Sequence, residues 1–109
     1  MKPLIWHDSI HEDVKGFAPV ARQNIGNQLH RAQNGSEPSD WKPMPGIGKG
    51  VKEIRIHAET EYRAIYIAHF EEAISVRHAI VKKTPKTGKN DIDLASRRFA
   101  ILLNSREGR

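Results

Sequence analysis

Seven cations crowd the stretch from Arg77 to Arg98 (Arg77, Lys82, Lys83, Lys86, Lys89, Arg97 and Arg98), against only Asp91 and Asp93. Such a patch neutralises phosphates and gives salt-dependent affinity, so RNA or DNA is its natural partner. The same run also suits a solvated face that keeps a protein soluble. Upstream, Glu53 and Arg55 stand two residues apart, the spacing that puts both on one face of a strand. Glu53 can act there as a general base or simply neutralise Arg55. His78 also has two readings. An imidazole titrating near neutrality suits proton transfer, yet strand parity groups His78 with Ile74, Val76 and Ile80, which reads as a histidine packed at the core edge.

Other constellations exclude more than they offer. Cysteine is absent, which removes disulfide scaffolds, zinc ribbons and thiol nucleophiles and fits a reducing cytosol. His7 and His11 have the spacing of a helical metal pair, but HDSIH brings no third ligand and no metal site is expected. Gly46 to Gly50 lacks the spacing and following hydroxyl of a phosphate-binding loop, and no serine-nucleophile signature occurs. The 109 residues carry 18 Lys and Arg against 13 Asp and Glu, a net charge of +5, with 38% hydrophobic residues. That length predicts one domain over residues 1–109, and the charge favours a polyanionic partner over a neutral metabolite. No apolar run is long enough for a membrane span, and MKPLIWHDS turns polar too early for a secretory signal; a soluble cytoplasmic protein is expected.

The elements that must position these groups follow from periodicity. Lys2 to Trp6 is a short strand that needs partners later in the chain. Ser9-Ile10-His11-Glu12 has the form of a capping box, predicting a helix with Ile10, Val14 and Phe17 on one stripe. Pro19 opens a second helix, with Ala21, Ile25, Leu29 and Ala32 at helical spacing until Asn34-Gly35 stops it. Asn34 to Gly50 reads as a long loop, either functional or pinned to the core by Trp41, Met44 and Ile47. Val51–His57, Tyr62–Phe70 and Ala73–Lys82 read as a three-stranded antiparallel meander. Its first strand alternates Lys52, Ile54 and Ile56 against Val51, Glu53, Arg55 and His57, predicting one apolar face and one charged, functional face. Asn90 caps a last helix bearing Ile92, Ala95, Phe99 and Leu102. The fold class is α+β with a mostly antiparallel sheet.

Over residues 42–103 the order and spacing of GVKEIR (Gly50–Arg55), YRAIY (Tyr62–Tyr66) and HAIVKKTPKT (His78–Thr87), ahead of the closing helix, resemble the RelE/HigB superfamily of bacterial toxin–antitoxin ribonucleases, in its phage-derived HigB-like branch. The resemblance implies a small RelE-like domain that enters the ribosomal A site and cuts mRNA there, without metal or cofactor. The RNA's own 2′-hydroxyl attacks the adjacent phosphate, and arginine and lysine shield the charge that develops. A helix-turn-helix antitoxin would neutralise the toxin by charge complementarity or strand addition, and the free toxin would be a monomer. By position, the resemblance makes Arg63 and Arg55 active-site cations, with Lys82 or Lys83 on the scissile phosphate; His78 and Glu53 remain candidates for proton transfer by their residue types. Arg77, Lys86, Lys89, Arg97 and Arg98 would bind RNA. The chain departs from the pattern in one respect: no tyrosine follows Lys82, and only Tyr62 and Tyr66 exist. A gyrase poison of the ParE type, or a nucleic-acid-binding module without chemistry, are the competing readings.

Overall fold

The computed structural model describes residues 1–7, 9–58, 60–68, 72–82 and 88–107. In chain order the elements are β1 (Leu4–Trp6), α1 (Ile10–Lys15), α2 (Pro19–Gln33), β2 (Trp41–Pro43), β3 (Val51–His57), β4 (Glu61–Ile67), β5 (Ile74–Lys82) and α3 (Lys89–Glu107). This is the expected α+β class, with the meander at the centre of the sheet. The sheet is larger than the sequence suggested: five strands in the order β1-β5-β4-β3-β2. β1 lies parallel to β5, with Leu4 opposite Ile74, whereas β2, β3, β4 and β5 pair antiparallel in succession. β2 is a correction, because Trp41–Pro43 falls inside the segment read as loop. Three residues with a terminal proline are enough to close the sheet edge against Lys52–Ile54.

The helical hairpin forms as its periodicity requires. Ile10 and Val14 of α1 and Ala21, Ile25, Leu29 and Ala32 of α2 are buried against Ile54, Ile56, Tyr62, Ala64, Tyr66, Ile74, Val76 and Ala79. Fully burying an isoleucine or leucine contributes about 1.5–3 kcal/mol each, so this layer dominates the fold's stability. The capping box does not form. Ser9 sits at the N-cap of α1 without a side-chain cap hydrogen bond, and its carbonyl accepts from the Asp13 amide instead. α2 begins on Pro19, as expected, and ends at Asn34, with Gly35 in the left-handed region at φ 82° that allows the chain to reverse.

The second face of the sheet is the main surprise. Strand alternation predicted one charged, functional face, but α3 packs over the part of it that carries Val51, Ile65 and Ile67. Ala95 and Phe99 pack with Val51, Ile65 and Ile67 and with Met44 and Ile47, so those two loop residues do pin the 34–50 segment. Gly48 is part of this contact, because a Cβ there would collide with the Phe99 ring. Trp41, by contrast, lies half-buried beneath the Lys52 ammonium, which is 4.7 Å from its ring centre. The expected strand end at Phe70 lies outside the described residues, and β4 stops at Ile67. β5 begins at Ile74 rather than Ala73. Among the described residues no helix is long and apolar enough to cross a membrane.

Candidate functional site

The register of β3, β4 and β5 arranges the α3-side face in four rows. Val51, Ile67 and Ser75 form the first, and Glu53, Ile65 and His78 the second. Arg55, Arg63 and Ile80 form the third, and His57, Glu61 and Lys82 the fourth. The first rows hold the apolar residues under α3. Charge accumulates toward the β3–β4 turn, so the sheet itself separates core from site on one face.

Glu53, Arg55 and Arg63 meet. The Arg55 Nε donates to Glu53 Oε1 at 3.2 Å, and Arg63 Nε stands 3.7 Å from the same oxygen. Glu53 is 0% exposed and Arg63 1%, whereas Arg55 keeps 28% of its side chain in solvent. Like charges facing across neighbouring strands repel. Here Arg55 and Arg63 are opposed, and the buried carboxylate beside them is what makes the pairing tolerable. The chain of alternating charge continues outward. Arg63 Nη1 lies 3.8 Å from Glu61 Oε1. Glu61 pairs with His57 Nδ1 at 2.7 Å, and the other ring nitrogen, Nε2, pairs with Asp40. Two carboxylates on one imidazole raise the His57 pKa above its ordinary value of 6.5, the Asp40 hydrogen bond being the larger cause and Glu61 the next. Asp40 is also tied through its backbone, its carbonyl accepting from the Arg55 amide at 2.9 Å.

His78 does not sit where strand parity put it. Ile65 faces His78 and Tyr66 faces Val76, which leaves Arg77 as the extra residue of a bulge. That one residue turns His78 from the α1–α2 side, where Ile74 and Val76 remain, to the α3 side. There its Nδ1 accepts from Arg98 Nη1 at 2.8 Å, since a guanidinium can only donate, and its Nε2 therefore donates to Asp91 at 3.0 Å. Both ring nitrogens are tied, and the tautomer is fixed by its partners.

The remaining expected residues scatter. Arg77 and Arg98 bond to each other's main chain between β5 and α3, with Arg77 buried. Lys89 opens α3 and Arg97 lies on its exposed side. Lys82 ends β5 opposite Glu61. Lys83 and Lys86 lie outside the described residues. The structure thus brings Glu53, Arg55 and Arg63 together and places His78 in the next row. It leaves Arg97 apart on the far side of α3. Sequence reasoning missed His57, Asp40 and Asp91 as partners. Only His57 carried a signal, because it flanks a tight hairpin and must face Glu61.

Both tyrosines belong to the α1–α2 core, on the opposite face of the sheet. Burial pushes the Tyr66 hydroxyl far above its ordinary pKa of 10, so it remains a phenol throughout the physiological range. Tyr66 instead borders a cleft of about 210 Å³ with Lys2, Ala32, Glu37 and Lys52. Among the described residues no group of three histidines or carboxylates could hold a metal ion. What the charged rows can do is hold and polarise an oxyanion with two guanidiniums, beside a carboxylate able to accept a proton.

A family model described as phage derived protein Gp49-like matches residues 12–100. No curated protein matches the chain.

Proposed function

The chain belongs to the Gp49-like family of phage-derived proteins, and from that premise we propose that it is the toxin of a toxin–antitoxin pair, acting as a ribosome-dependent, metal-independent mRNA endoribonuclease. The observation that carries the reading is the opposition of Arg55 and Arg63 over the buried Glu53 carboxylate. An incoming phosphodiester competes with Glu53 for the two guanidiniums. Binding therefore frees a carboxylate next to the 2′-hydroxyl at the moment the phosphate is gripped. The 2′-oxygen attacks phosphorus as its proton passes to Glu53, and the bond to the 5′-oxygen breaks. The leaving 5′-oxygen takes a proton from water, to which Glu53 returns the one it accepted, so a 2′,3′-cyclic phosphate and a 5′-hydroxyl result with no net change in protons and no other co-reactant. The arginines stabilise the charge that builds on the pentacoordinate phosphorus, the role for which fixed, partly desolvated donors are most effective. A helix-turn-helix antitoxin would hold the toxin inactive.

The decisive experiment is induction in growing bacteria, with primer extension on translated messages. Growth arrest with cuts inside codons is expected, and their loss in Arg55→Gln at undiminished protein level. Arrest with intact mRNA would overturn the reading. A second reading has one specific support: both tyrosines lie on the other face and both His78 nitrogens are engaged. A gyrase poison needs no acid or base, and it would announce itself as DNA breaks with a damage response.

A further inference from the structure

Between β5 and α3 lie two cations that the charged rows do not use. Arg77 Nη2 donates to the Arg98 carbonyl at 2.7 Å and to His7 Nδ1 at 2.8 Å. Arg98 Nη1 donates to the Arg77 carbonyl at 3.0 Å and to His78 Nδ1 at 2.8 Å. All four acceptors are neutral. Among the described residues no carboxylate forms an ion pair with either guanidinium, and the nearest one in the network, Asp91, is engaged with His78. Arg77 is 4% exposed, and its Nε is buried with no hydrogen-bond partner among the described residues. A guanidinium does not escape this situation by losing its proton. Its proton affinity is nevertheless lowered, first by burial and then by the neighbouring Arg98 charge. A buried cation held against a second cation, with only neutral partners, is a costly arrangement that a bound anion relieves.

The geometry also says which donors remain. Because Arg98 spends Nη1 on both of its bonds, its Nε–Nη2 edge stays whole. That edge grips two oxygens of one oxyanion. Arg98 as a whole is half-buried rather than sealed in the core. The Arg77 Nε supplies a third donor, which a tetrahedral oxyanion satisfies better than a planar carboxylate does.

We propose that Arg77 and Arg98 form a phosphate-binding site between β5 and α3, separate from the Arg55–Arg63 pair. The ligand is a phosphate group, supplied by inorganic phosphate or a free nucleotide, or by the backbone of an RNA strand. The site stands on the local geometry and not on the RNA-cutting reading, so the two fail independently.

The test is a titration of the whole, ¹⁵N-labelled protein with inorganic phosphate, following the guanidinium Nε–H resonances, against sodium chloride at equal ionic strength. A saturable shift of the Arg77 Nε–H signal with phosphate alone is expected, weakened at least tenfold in Arg98→Gln. Arg98→Lys, which keeps the charge and loses the two-donor edge, should weaken it as well, and it stands in if the glutamine variant fails to fold. A response equal in chloride, or one unchanged in the folded Arg98 variants, overturns the site. Competition then separates the sources. Displacement of phosphate by a short RNA without terminal phosphates assigns the site to backbone phosphate. Displacement only by nucleoside monophosphates assigns it to a free ligand.

Discussion

Arg55 and Arg63 face each other across β3 and β4 while reaching one carboxylate, that of Glu53, which lies wholly out of solvent. The arrangement joins fold and site in one set of atoms. Removing the carboxylate leaves two guanidiniums opposed beside a desolvated gap, and removing one member of a buried charged set typically costs about 3–5 kcal/mol. Glu53→Gln should therefore lower the urea midpoint strongly. Arg55→Gln, at the solvent end of the pair, should lower the unfolding free energy by no more than about 1 kcal/mol. Equal effects in urea denaturation would show that Glu53 is not the centre of the network.

This asymmetry decides how the chemistry is best probed. Arg63 is the natural choice from sequence, yet it is 1% exposed, and its alanine variant would lose toxicity by unfolding as readily as by losing catalysis. Arg55→Gln should keep its far-UV circular dichroism and melting behaviour while growth arrest on induction disappears. Retained toxicity in a folded Arg55→Gln would remove Arg55 from the reacting face.

His57 makes stability depend on pH in a stated direction. Its folded pKa lies above 6.5 because Asp40 and Glu61 favour the imidazolium. The stabilisation is fully present below the unfolded value of 6.5 and is lost as pH rises through the folded value. The wild-type melting temperature should fall relative to that of His57→Gln as pH is raised from about 6 to about 9. Parallel curves for the two proteins across that range would contradict the clamp.

How much of this was legible beforehand depended on the rule each element obeys. The α2 stripe Ala21, Ile25, Leu29, Ala32 follows the helical period without interruption, and all four are buried. Strand alternation correctly put Glu53 and Arg55 on one face. It failed at His78, because period two assumes no insertion and Arg77 is one. β2 was unreadable, since three residues among glycines and prolines carry no period at all. Asp40 was unreadable for another reason: its partner His57 is 17 positions away, brought close only by the β2–β3 pairing. The charged face was legible, but the helix that packs over its apolar rows was not, because a strand's pattern does not reveal which helix returns to it.

Two glycines separate packing from propensity. Gly48 lies under the Phe99 ring with no room for a methyl group, so Gly48→Ala should cost about 1–3 kcal/mol through overpacking. Gly26 sits inside α2 with nothing within 4 Å of the position a Cβ would occupy. Gly26→Ala should therefore stabilise the protein by up to about 1 kcal/mol. Thermal melts of the two variants should move in opposite directions, and Phe99→Leu should recover part of the Gly48→Ala loss by opening space.

The tyrosines give the sharpest test of where proton transfer takes place. Tyr62 and Tyr66 pack among α1 and α2 residues on the face of the sheet opposite Glu53, Arg55 and Arg63. A phenol there cannot reach a phosphate held by those arginines, because the sheet's own backbone stands between. Tyr62→Phe and Tyr66→Phe should thus leave the toxicity of the induced protein unchanged, and whatever they cost should appear in the melting temperature alone. Loss of toxicity in a folded phenylalanine variant would place a reacting or binding group on the α1–α2 side, and the Glu53-centred mechanism would have to be abandoned.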